Sequence, residues 1–186
     1  MGFWNCLGRK TFKLLGWKLV GNIPDDVKKC VITVAPHTSM ADFILGRLAY
    51  CYLDRNVRYL IKKELFDIPV LKSILLRLGG MPVDRSGRNN IVNQAAALFG
   101  KYDDLNIIIA PEGTRKLVRN WKKGFYYIAI KANVPIVLGF LDFKKKELGF
   151  GPTFYPTGNF EEDWKQMEVF YRGINAKHPE RYNLSN

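Results

Sequence analysis

The segment Lys29-Cys30-Val31-Ile32-Thr33-Val34-Ala35, followed by Pro36-His37-Thr38-Ser39-Met40-Ala41-Asp42, decides the reading of this chain. Residues 29–35 are apolar and β-branched enough to be a buried strand. Pro36 to Ser39 make a turn, and residues 40–53 read as a helix with Phe43, Ile44, Leu48 and Tyr52 available for packing. A buried strand, a tight turn and a helix are the start of a βαβ unit, whose reacting groups sit beyond the carboxyl end of the strand. His37 stands there, with Asp42 in the first turn of the helix. This H-x-x-x-x-D spacing can bring the carboxylate onto one imidazole nitrogen, leaving the other to take a proton from a hydroxyl or amine. The same residues also fit a loop histidine and an aspartate that merely complements the helix dipole.

The pattern continues on both sides. Strands are expected at 57–62, 81–84, 105–110, 134–143 and 147–155, the last two separated by Lys144-Lys145-Lys146. Helices are expected at 69–78 up to Gly79-Gly80, at 89–101, at 123–132 and at about 160–173. Alternating strands and helices predict a single-domain α/β sandwich with a mostly parallel central sheet flanked by helices. Residues 3–20 predict an additional N-terminal amphipathic helix, ended by Gly21 and Pro24. Its broad apolar face holds Phe3, Trp4, Leu7, Phe12, Leu14, Leu15 and Leu19, with Arg9 and Lys13 opposite.

A length of 186 residues with 47% apolar content supports one core, and splitting it would leave halves too small to be comfortable. The formal net charge of +12 points to an anionic partner, whether nucleic acid, an acidic lipid surface or a phosphorylated small molecule. Three cysteines, Cys6, Cys30 and Cys51, lack C-x-x-C spacing and provide neither a disulfide framework nor a zinc site. No uncharged apolar run approaches the ~18 residues needed to span a bilayer. Arg9, Lys10 and Lys13 interrupt any signal-peptide core. Met1-Gly2 resembles a myristoylation start, but Cys6 replaces the expected hydroxyl residue. The expected location is cytoplasmic, peripheral on the inner face of a membrane.

Two further stretches carry possible chemistry. Ala110-Pro111-Glu112-Gly113-Thr114-Arg115 again follows a buried strand, and Arg115 offers a guanidinium fork for phosphate or carboxylate. Standing alone it fits an ordinary Pro-Glu-Gly turn with a surface ion pair. Gly79-Gly80-Met81-Pro82-Val83-Asp84-Arg85 can place Arg85 beside Arg115, or can be a helix C-cap followed by an exposed Asp–Arg pair.

Together, H-x-x-x-x-D, G-x-x-x-D-R, P-E-G-T-R and Val134-Pro135-Ile136-Val137 occur in the order of the four sequence blocks of the glycerolipid (lysophosphatidic acid) acyltransferase family. From about residue 30 to 141 the chain resembles that family, 1-acylglycerol-3-phosphate O-acyltransferases included. Ala110, Leu138 and Met81-Pro82 depart from its usual blocks. The resemblance implies an acyl donor, acyl-CoA or acyl-carrier protein, whose thioester lies beside His37 as general base, with Asp42 orienting it. Asp84, Arg85, Glu112, Gly113, Thr114 and Arg115 would form the acceptor's binding site, and no metal or redox cofactor is implied. On this reading residues 1–22 are a membrane-associating helix, 23–175 the acyltransferase domain and 176–186 a polar tail in which His178 has no role. The partners expected are a membrane lipid surface and the acyl carrier. An amine acceptor, giving an acylated amino-acid lipid, is the alternative. A nucleic-acid-binding domain would need a continuous basic stripe with interleaved aromatics. Here the charge is dispersed, and Trp121, Phe125, Tyr126 and Tyr127 read as core and groove lining.

Overall fold

A computed structural model describes residues 10–50 and 55–184 of the chain. Its strands are β1 (Lys18–Val20), β2 (Lys29–Ala35), β3 (Val57–Lys62), β4 (Gly80–Val83), β5 (Leu105–Ile109), β6 (Ile136–Asp142) and β7 (Glu147–Phe154). The helices between and after them are α1 (Met40–Tyr50), α2 (Pro69–Arg77), α3 (Arg88–Phe99), α4 (Gly124–Ala132) and α5 (Phe160–Tyr171). They build a seven-stranded sheet in the order β1-β7-β6-β2-β5-β3-β4. The run from β6 to β4 is parallel throughout, β7 returns antiparallel to β6, and β1 runs parallel to β7. The expected α/β sandwich with a mostly parallel sheet is therefore the architecture observed.

Alternation along β2 divides the two layers. Val31 and Ala35 join the larger core with Ile107, Phe125, Ile128, Trp164 and Tyr171, so α4 and α5 cover that face. Cys30 and Ile32 point the other way, onto Ile23, Val27, Val137 and Phe150. On this second face α1 buries Leu45 and Ala49 against Leu141 and Leu148. Ile44, expected to pack, is about half exposed instead.

Two connections therefore leave neighbouring strands in opposite directions. The chain after β2 goes to the α1 face, and the chain after β5 goes to the α4 face. The crevice between those two strand ends is the topological switch point, the usual ligand site of an open parallel sheet.

The N-terminal expectation needs correction. Residues 1–9, which carry much of the expected helix, lie outside the described residues. The described part is helical only to residue 14. Gly16, at φ 77°, ends the helix in a Schellman arrangement. The Gly16 N–H donates to Lys13 O at 2.9 Å and the Trp17 N–H to Phe12 O at 3.2 Å. Phe12 and Trp17, the apolar pair that accompanies such a cap, are buried in the core. Residues 18–20 then form strand β1 instead of a last helical turn.

The other end differs as well. Residues 176–184, part of the expected polar tail, pack back on the domain. Tyr182 lies against Trp121, whose Nε1–H donates to Asn183 O at 2.9 Å, and Ala176 is buried. The aromatic anchor for this segment is Trp121, 62 positions before Asn183, a contact that local polarity does not announce.

Candidate active site

His37 is positioned from two strands. The turn after β2 carries it, and the neighbouring turn after β5 supplies Glu112, whose Oε2 accepts the His37 backbone N–H at 2.8 Å. Asp42, buried in the first turn of α1, reaches back along its own chain. Its Oδ2 accepts the N–H groups of Thr38 (2.7 Å) and Ser39 (2.8 Å), and its Oδ1 accepts the Ser39 hydroxyl at 2.9 Å. Ser39-x-x-Asp42 thus uses the acidic half of a capping box, closing helix α1 and holding the carboxylate still. The His37 Nδ1 lies 3.4 Å from Asp42 Oδ2. That orientation places the Nδ1 hydrogen toward the carboxylate and leaves Nε2 for a reacting group.

The two carboxyls around His37 are driven apart. Burial raises Asp42, but hydrogen bonds from His37 and Ser39 outweigh it and hold the group below the ordinary aspartate value. Glu112 is pushed up to about 8, by burial above all and by the nearby charge of Asp42, against the hydrogen bond from His37. At neutral pH one carboxyl is ionised and the other retains its proton. The ionised one, Asp42, is therefore the counter-charge for an imidazolium at His37. The Ser39 hydroxyl is committed to Asp42, which leaves it no proton-transfer partner of the kind a nucleophilic serine requires.

Beside His37 opens an apolar pocket of about 180 Å³ under α1. Its walls include Phe43, Leu60, Phe140 and Phe150, and Gly139 and Gly149 line it without side chains. A histidine–aspartate pair at the mouth of an apolar slot suits a reactant with a polar reacting centre and an aliphatic body.

The remaining expected residues fall at the same end of the sheet with different degrees of engagement. Gly113 adopts φ 66°, the left-handed bend that the Pro-Glu-Gly turn requires, and its N–H donates to Ala110 O at 3.0 Å. Thr114 Oγ1 accepts the Lys116 N–H at 3.3 Å, and the Arg115 side chain is exposed. Glu112, expected at the acceptor's binding site, is buried at 3% exposure and also braces the His37 turn through the His37 backbone N–H. Asp84 Oδ1 accepts the Ser86 N–H at 2.8 Å, and Arg85 donates to Leu60 O at 2.8 Å. Because β3 lies between β4 and β5, about 10 Å of sheet separates the chain positions leading to Arg85 and Arg115. The fourth block, Val134 to Val137, enters β6 at its amino end, at the opposite edge from His37. Its Pro135 O accepts the Val31 N–H at 3.0 Å, so it positions strand β2.

One contributor was missed. The His178 backbone N–H donates to Thr38 Oγ1 at 3.3 Å, joining the C-terminal segment to the H-x-x-x-x-D turn. No spacing in the sequence announces a contact 140 residues long.

Comparison with known proteins places the chain in a family. A curated 1-acyl-sn-glycerol-3-phosphate acyltransferase from Cocos nucifera is 28% identical over 144 residues, which are 72% of this chain and 45% of that protein. The chain thus spans less than half the length of that relative. The solved structure of the 1-acyl-sn-glycerophosphate (LPA) acyltransferase PlsC from Thermotoga maritima is similar in fold, with a TM-score of 0.60 at 21% identity. That similarity covers 98% of this chain and 80% of the other. The family described as Acyltransferase matches residues 19–137, a span that contains His37, Asp42, Arg85 and Arg115. The chain belongs to the acyltransferase family.

Proposed function

We propose that the protein transfers a fatty acyl group from a thioester, acyl-CoA or acyl-carrier protein, to the hydroxyl of a lysophosphatidic acid-like acceptor at a membrane surface. The observation that carries the reading is His37, backed by ionised Asp42 at the mouth of an apolar pocket in the switch-point crevice. The acceptor hydroxyl gives its proton to His37 Nε2 as its oxygen attacks the thioester carbonyl carbon. Asp42 stabilises the imidazolium so formed. The tetrahedral intermediate collapses with loss of the carbon–sulfur bond, and the imidazolium returns the proton to the departing thiolate. No acyl-enzyme is needed. The pocket under α1 takes aliphatic chain, and exposed Arg115, with Arg85 farther along the sheet edge, receives the acceptor's anionic head.

The test is direct. The protein is incubated with labelled acyl-CoA and acyl-carrier protein against a panel of lysophospholipids and amines, and product masses are read. Lysophosphatidic acid should be acylated on oxygen, and His37→Ala should abolish the product. An N-acyl product would move the assignment to the amine acceptor. A folded protein that transfers from neither thioester refutes it.

A further inference from the structure

The two faces of the sheet are clothed differently. Helix α2 reads Pro-Val-Leu-Lys-Ser-Ile-Leu-Leu-Arg, with five aliphatic residues in nine, yet none of its residues is buried. Val70 is 74% exposed, and Ile74 and Leu76 are about half exposed, as are Leu65 and Ile68 in the turn before the helix. A surface helix of a soluble domain ordinarily turns polar residues outward.

Nor is α2 detached from the sheet. A methyl group at Gly80 would come within 2.9 Å of Leu75 O, on the side where Ile61 Cδ1 lies at 2.7 Å, so the helix passes closely over the start of β4 on the Ile61 face of the sheet. Tyr59, one alternation from Ile61, packs on Phe43 and Tyr50 of α1, which places α1 and α2 on the same face. That face also exposes Met40 and Ile44 of α1, one helical turn apart, and Leu14 and Leu15. The same segments also carry Lys10, Lys13, Lys62, Lys63, Lys72 and Arg77, all exposed. Glu64 and Asp67 oppose them only in part, Glu64 through an ion pair with Lys62 at 3.4 Å. The pocket beside His37 lies under α1 on this same side.

We propose that this face, with α2 and the turn before it at its centre, docks on an anionic lipid bilayer. Aliphatic side chains accompanied by lysine and arginine match an acyl–headgroup boundary carrying negative charge. The inference rests on the acyl-transfer reading for its purpose, since a bilayer is where a lysolipid acceptor resides. Within the described part of the N-terminal segment Phe12 and Trp17 are spent on the core, so the centre of the contact lies in α2 and the turn before it.

The experiment uses the full chain and mixed phosphatidylcholine–phosphatidylglycerol vesicles. Val70→Asp combined with Ile74→Asp should lower co-sedimentation about tenfold or more, because each change places a charge in the boundary region. Its Tm should equal that of wild type. Transfer to a vesicle-embedded lysolipid should fall in parallel, while transfer to a water-soluble short-chain acceptor stays unchanged. Should the double variant unfold, Val70→Ser alone reads the same loss. Ile130→Asp with Val169→Asp, on the opposite face, should bind vesicles as wild type does. Wild-type binding by the α2 variant overturns the proposal, as does an active wild type that ignores vesicles. A dimer split by Val70→Asp with vesicle binding intact would assign the face to a second copy and overturn it too. Vesicle binding that depends on α2 in a protein without acyl transfer would leave the docking face standing and refute the proposed function alone.

Discussion

Replacing Glu112 by glutamine should remove a loss of stability that the wild-type protein suffers as pH rises. The side chain is 3% exposed, its Oε2 is bonded to the His37 N–H, and its Oε1 has no partner among the described residues. Burial, with Asp42 nearby, moves the carboxyl from 4.5 to about 8. Between those values the folded protein keeps a proton that the unfolded chain releases, so the stability of the fold declines as pH increases. At about 1.4 kcal/mol per pH unit, the decline reaches ~3 kcal/mol by neutral pH and ~5 kcal/mol beyond the folded-state value. Those are large fractions of the ~5–15 kcal/mol that hold a domain together. Glutamine is neutral at every pH and offers the same acceptor oxygen to His37, while its NH2 takes the place of the unpartnered Oε1. Any constant offset from that exchange does not change with pH. Urea unfolding of both proteins from acid to mildly alkaline pH isolates the group, because all other titrations are shared. The difference curve should slope through the range from 4.5 to about 8, with Glu112→Gln gaining on wild type. Parallel curves over that range would refute the reasoning. Glu112→Ala also removes the titrating group but strands the His37 N–H, so its curve should run parallel to that of Glu112→Gln and about 1–3 kcal/mol below it.

The remaining predictions concern the reaction and the chain ends. His37→Ala should lower turnover by about 10²–10⁴-fold or more with Tm unchanged, and wild-type turnover in the folded variant would sink the mechanism. Asp42→Asn keeps an oxygen for the Thr38 and Ser39 N–H groups but loses the charge facing His37, so turnover should fall strongly while the helix start survives, as circular dichroism would report. Arg115→Ala should raise the acceptor's KM with little change in the donor's, and Arg115→Lys should recover only part because the planar fork is lost. A shift in the donor's KM alone would reverse the subsites. Deleting residues 1–20 should lower Tm markedly, because it removes Phe12, Trp17 and strand β1; buried aromatic losses run to about 3–5 kcal/mol each. An unchanged Tm would show that those side chains contribute nothing.

Most of the fold was legible because its signals are local. Val31 to Ala35 and Leu105 to Ile109 are mostly apolar, β-branched runs, broken only by Thr33 and Asn106, of the kind a strand buried on both faces carries. Gly79 and Asn133 end α2 and α4 from left-handed or near-terminal positions where a side chain or its absence matters. Gly16 carried the same signal for the N-terminal helix. It was outweighed by an amphipathic periodicity running past it, although Phe12 and Trp17 were already spaced as the apolar pair of a Schellman cap. Strand β1, three residues long at the sheet edge, has too few side chains to establish a period of two.

By itself the sequence determined the order of strands and helices from β2 onward, the H-x-x-x-x-D turn and the residue types able to exchange a proton, since backbone propensity and short spacings are written within a few residues. Only the tertiary structure decided that Glu112 is buried and accepts the His37 backbone N–H, and that His178 and Trp121 tie the C-terminal segment to the domain. It alone showed that α2 turns its aliphatic side outward. Each of these depends on which strands become neighbours and how deeply a side chain is buried. Neighbours and burial are properties of chain closure over many tens of residues, and the same Glu or Leu can end either in the core or in solvent until that closure is made.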